Sequence, residues 1–65
     1  MTLDEATRSV GRTVFYLPPG GGRPEYGVIT EVRSRWVFVK YGDNSPDAKA
    51  TLPQDLRLLQ ELVRR

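Results

Sequence analysis

Apolar residues in this chain come in short runs of period two. Clusters of Gly, Pro, Asn and Asp separate them. The densest β-branched and aromatic run covers residues 26–42, Tyr-Gly-Val-Ile-Thr-Glu-Val-Arg-Ser-Arg-Trp-Val-Phe-Val-Lys-Tyr-Gly, with a polar break at Arg33, Ser34 and Arg35 and a Gly near each end. It predicts a β-hairpin with strands over 26–32 and 37–41. Pairing Val32 with Val37 sets Thr30 opposite Val39 and Val28 opposite Tyr41. Val28, Val32, Val37 and Val39 then share a core face, whereas a slip of one residue would bring Glu31 into it. Ile29, Trp36 and Phe38 fall on the opposite face with Glu31, Arg33 and Lys40.

The rest of the chain reads as packing for this hairpin. Residues 10–17 predict a first strand, with Val14 and Tyr16 on one side, Thr13, Phe15 and Leu17 on the other, and a bend at Gly11. Pro18-Pro19-Gly20-Gly21-Gly22-Arg23-Pro24 is a surface loop. It is not a phosphate loop, because no Lys-Ser/Thr pair and no helix start follow the glycines. Residues 42–47 form a turn cluster and 49–52 a short fourth strand. Residues 53–55 predict one 3₁₀ turn. The last ten residues carry two patterns. Leu56, Leu59, Leu62 and Val63 make a helical stripe, whereas Leu56 and Leu58 flanking Arg57 alternate as a strand does. The favoured reading is a short fifth strand near 57–59 and then a tail. At the other end, Thr2 and Glu5 fit a capping box, so residues 1–9 are either one helical turn or a loose chain end. The expected organisation is a leader over 1–9, a folded unit over 10–59 and a tail over 60–65.

Composition narrows the chemistry. A chain of 65 residues makes one small domain, which buries only ~60% of its unfolded surface. The sequence has no Cys and no His. That removes disulfides, thiolate metal sites and the usual general base at neutral pH. Ser9, Ser34 and Ser45 have no imidazole to activate them, and Asp43 and Asp47 read as turn residues. The expectation is a non-enzymatic protein with no cofactor and no metal. Ten Lys and Arg stand against eight Asp and Glu, a formal charge of +2, weaker than the basic stripe of a dedicated nucleic-acid binder. No apolar stretch approaches the ~20 residues that span a bilayer. The acidic N-terminus carries no signal-peptide core, so a cytoplasmic protein is expected.

Short strands, close turns, a long loop after the first strand and a 3₁₀ turn before the last together predict an all-β, five-stranded small barrel. Three stretches, Tyr26-Gly-Val-Ile-Thr-Glu-Val, Val37-Phe-Val-Lys-Tyr-Gly and Leu52-Pro-Gln-Asp-Leu, make the chain resemble SH3-like barrels of the Tudor and KOW kind over residues 10–59. The chain is similar in this to small barrels among uncharacterised bacterial and prophage proteins. In Tudor domains an aromatic cage at one barrel end receives methylated Lys or Arg. The resemblance implies that Tyr26, Tyr41 and Asn44 match cage positions, with Tyr16 as a further wall. An aromatic expected after the third strand is missing, since Asp43 or Ser45 occupies that region.

Three functional expectations follow. The first is a protein-interaction adaptor, set in a phage or prophage assembly, that uses the Pro/Gly loop and the Tyr16, Tyr26, Tyr41 and Asn44 end. The second is a nucleic-acid-binding barrel whose interleaved cations and rings, Arg33, Arg35, Trp36, Phe38 and Lys40, neutralise phosphates and stack bases. The third is a self-associating structural piece held by the second sheet face. The plain structural alternative to base stacking on that face is its cover by Leu59, Leu62 and Val63 or by a partner subunit. A monomer or weak homo-oligomer without membrane contact fits all three. Arg57, Arg64 and Arg65 read as a solvated basic end.

Overall fold

The computed structural model describes residues 1–42 and 47–59. Its strands are β1 (Thr13–Tyr16), β2 (Glu25–Arg33), β3 (Trp36–Tyr41), β4 (Lys49–Thr51) and β5 (Leu56–Leu58). They form one antiparallel five-stranded sheet in the order β4-β3-β2-β1-β5. A 3₁₀ turn, Pro53–Asp55, precedes β5. The all-β, five-stranded expectation therefore holds, but the hydrogen-bonded ladder does not close into a barrel. Instead of a hairpin turn, which would pair β4 with β5, the 3₁₀ turn carries the chain from one sheet edge to the other.

The hairpin turn is the two-residue Ser34-Arg35 loop between the paired Arg33 and Trp36. Ser34 has φ 57°, in the left-handed region that a primed turn needs and that matches the twist of the strands. A side chain with a Cβ is strained there. Ser34→Gly should therefore raise stability by about 0.5–1 kcal/mol, read as a higher urea midpoint with an unchanged denaturant slope. A lower midpoint would show that the Ser34 side chain contributes something the turn geometry does not reveal.

Register is where the parity argument fails. Val32 does pair with Val37, but Ile29 pairs with Val39 and Val28 with Lys40, because β2 carries a β-bulge between Ile29 and Glu31. Thr30 is the extra residue, and its hydroxyl donates to the Phe38 carbonyl across the irregularity at 3.2 Å. The bulge exchanges faces for everything before it. Ile29 is buried at 1% exposure and Val28 is 40% exposed, the reverse of the expectation. Val32, Val37 and Val39 remain on the core side. The physical reason is that Ile29 and Val32 lie three apart, an odd spacing that only an inserted residue can place on one face of a strand.

The core is Ala6, Val14, Ile29, Val37, Val39 and Leu56, ringed by Met1, Leu3, Tyr16, Val32, Tyr41 and Leu58. Each fully buried aliphatic contributes about 1.5–3 kcal/mol. Residues 1–9 take part in this core. A helix α1 (Leu3–Thr7) starts at a capping box in which Glu5 N–H donates to Thr2 Oγ1 at 3.1 Å and Thr2 N–H to Glu5 Oε1 at 3.0 Å. It turns Ala6 into the core. The Met1 ammonium donates to the Pro53 and Leu56 carbonyls, each at 3.0 Å, tying the helix to the 3₁₀ turn and β5. The tail over 60–65, with Leu62, Val63, Arg64 and Arg65, lies outside the described residues.

Candidate functional site

Strand order decides which side chains meet. Tyr16 ends β1, Glu25 begins β2 and Tyr41 ends β3, so the antiparallel ladder gathers them at one end of the sheet. Beside them runs the β4 edge, and the 3₁₀ turn brings Asp55 to the same place. The result is a cleft of about 380 Å³ lined by Tyr16, Glu25, Trp36, Tyr41, Asp55 and the β4 segment 49–52. The Tyr16 and Tyr41 rings meet edge to face, with centroids 6.2 Å apart and planes at 68°, a favoured arrangement of two ring quadrupoles.

Tyr41 is fixed by a 2.9 Å hydrogen bond between its hydroxyl and that of Thr51, and Thr51 is itself buried. Burial pushes the Tyr41 phenol above its usual value. The Thr51 hydrogen bond opposes that shift, and the negative charges of Glu25, Tyr16 and Asp55 add to it. A phenol held protonated in the fold supports stability fully below its unfolded value of 10.0, and this support is lost as pH rises through the higher folded value. Tyr41→Phe should remove part of the alkaline loss of stability above pH 10.0, while removing a hydrogen bond costs about 1 kcal/mol at neutral pH. Denaturation at neutral and alkaline pH checks both, and an unchanged alkaline limb would refute the linkage.

The sequence-predicted residues divide between several places. Tyr16 and Tyr41 come together in one cleft. Tyr26 lines an adjoining hollow of about 350 Å³ with Glu25, Tyr41, Gly42 and Lys49, but its ring packs on Phe15, centroids 6.0 Å apart, on the outer sheet face. Asn44 lies outside the described residues. Trp36, grouped by sequence with the cations, instead lines the tyrosine cleft and stays 39% exposed.

The remaining basic-aromatic candidates do not form a uniformly basic face. The Arg33 guanidinium lies over the Phe38 ring at 5.6 Å and is held by both Glu31 carboxylate oxygens at 2.7 and 3.2 Å. Arg35, in the hairpin turn, and Lys40, on β3, are exposed. Among the described residues no cluster of His, Cys, Asp and Glu has the makings of a metal site. No helix among them is long and apolar enough to cross a membrane.

Glu25, Asp55 and the 49–52 wall were missed by the sequence reading. Local pattern holds no signal for them, because they reach the tyrosines only through the strand order. Among the described residues neither carboxylate is ion-paired. The cleft thus presents aromatic rings with two negative charges at its rim, against the single cation of Lys49. Compared with known proteins, the chain matches no family model, no curated protein and no solved structure.

Proposed function

We propose that this chain is a non-enzymatic protein-interaction adaptor of the SH3-like type, and that it docks its partner at the Tyr16, Trp36 and Tyr41 cleft. The observation that carries the reading is the cleft itself: three aromatic side chains around an open hollow, one of them 39% exposed, with Glu25 and Asp55 beside them. Exposed aromatics in a concave site are what a partner's side chain buries as an anchor. The order of short strands, the long loop after the first and the 3₁₀ turn before the last support the comparison with Tudor-type barrels. A cation over such ring faces gains ~0.5–2 kcal/mol, and the two carboxylates favour the same charge.

Photo-crosslinking in living cells tests this. Benzoyl-phenylalanine replaces Trp36 in one sample and Lys40 in another. The expected result is discrete protein adducts from position 36 that disappear in a Tyr16→Ser background, with few from position 40. Adducts sensitive to nuclease, or equal protein adducts from both positions, would sink the adaptor reading.

A second reading, nucleic-acid association, is favoured by the exposure of Trp36 together with Arg35 and Lys40. It ranks lower because Glu31 neutralises Arg33 and the net charge is only +2. It requires an affinity for RNA or DNA that falls steeply with salt, by a log–log slope of about −0.7 to −0.9 per phosphate contacted.

A further inference from the structure

The cleft has a second property besides its rings. One wall is the edge of a sheet. β4 pairs with β3 on one side, Val37 with Thr51, Phe38 with Ala50 and Val39 with Lys49. Among the described residues no strand pairs with its other side. The whole of β4 lines the cleft, so anything lying in the hollow lies against a row of backbone donors and acceptors. An exposed edge of this kind is a template for one more strand.

We infer that the partner binds as an extended peptide segment added to the β4 edge, with one Lys or Arg side chain directed into the cleft. The inference rests on the reading of the cleft as the docking site and adds the partner's conformation and charge. Backbone pairing along Lys49–Thr51 supplies affinity regardless of sequence. Side-chain choice comes from the cleft, because alternate residues of an added strand point to the same side. One of them faces Tyr16 and Tyr41, while Trp36, on the other face of β3, flanks the same edge. Charge selects what that residue is. Glu25 and Asp55 carry no ion pair among the described residues and outnumber Lys49, the single cation of the lining, so a cation entering the cleft meets aromatic faces and a net negative lining, whereas an acidic side chain meets net like charge. β4 is only three residues long, which limits the added strand to a few backbone bonds and makes the side chain in the cleft decisive for specificity.

The probe is a displayed library of random heptapeptides selected on the folded protein. Enriched peptides are then synthesised both unmodified and N-methylated at alternate backbone positions. The expected winners carry one Lys or Arg flanked by β-branched residues. Their binding slows hydrogen exchange at those amides of Lys49–Thr51 that point away from β3 and shifts the signals of Tyr16, Trp36 and Tyr41. N-methylation on the edge-facing register should weaken binding by about tenfold for each blocked hydrogen bond, while methylation on the other register is tolerated. The modification lies on the peptide, so the protein's folding is not at risk. Peptides that shift the cleft signals but bind equally well when methylated at either register, with no added protection at β4, would overturn strand addition and leave the adaptor reading standing. A library that enriches no peptide, or only peptides that shift Phe38 and Lys40, would overturn both.

Discussion

Gly27→Ala should remove about 3 kcal/mol or more, a large part of the protein's stability. A Cβ at position 27 would sit 2.6 Å from the Lys40 carbonyl oxygen, 2.6 Å from Val39 Cγ1 and 3.0 Å from Tyr41 Cδ1. Carbon atoms do not approach that closely, and the first of these neighbours is backbone in the central hairpin, where it cannot rotate away. The site requires a missing side chain because β2 and β3 close on each other there, Gly27 being paired with Tyr41. Relieving the overlap means parting the strands or displacing Val39, a fully buried member of the core. Overpacking of this kind costs about 3 kcal/mol or more when backbone must move. A chain of 65 residues holds roughly 3–10 kcal/mol in total. Urea denaturation followed by far-ultraviolet circular dichroism measures the loss. Tyr41 shares the contact, so the same substitution should also disturb the Tyr16–Tyr41 ring pair and weaken any ligand of the cleft. A stable Gly27→Ala protein would mean that the two strands lie further apart than the structure places them.

What the sequence made legible was local. The polar break at Arg33-Ser34-Arg35 located the hairpin turn, and local chemistry located the 3₁₀ turn at Pro53 and the capping box at Thr2 and Glu5, because each depends on residues within a few positions of one another. Alternation located the strands to within a few residues and put Val14 and Tyr16 on one face of β1, the face that the structure turns to the core. The cleft was legible only in part. Tyr16 and Tyr41 could be paired through a resemblance, but Trp36 is separated from Tyr41 by four residues of a single strand, and alternation assigns the two to opposite faces. Only the placement of the β4 edge and the 3₁₀ turn beside β3 shows that one hollow touches both. The same holds for Glu25 and Asp55, whose charges set the character of the site although they lie far apart in the sequence. Strand order is a property of the whole fold, and no window of the sequence contains it.

The bulge at Thr30 is a second feature hidden from alternation, and it makes an expectation that separates the two registers. If β2 ran without interruption from Val32, Val28 would be core and Ile29 would face outward. In the structure Ile29 is 1% exposed, paired with Val39, and Val28 is 40% exposed. Ile29→Ala should therefore cost about 2–5 kcal/mol, the lost transfer energy plus the cavity left among Val14, Val37, Val39 and Leu56. Val28→Ala removes atoms of a side chain that is 40% exposed and leaves no core cavity, and should stay within about 1 kcal/mol. The comparison is internal, since the residues are neighbours in one strand and share most effects on the unfolded chain. Parallel urea titrations of the two variants give the difference directly, with equal denaturant slopes as the sign that both unfold in one step. Equal costs, or a larger cost for Val28→Ala, would restore the uninterrupted register and remove the bulge. Restoring that register would also turn Gly27 to the outer face, so the fate of Gly27→Ala and the difference between these two variants must agree.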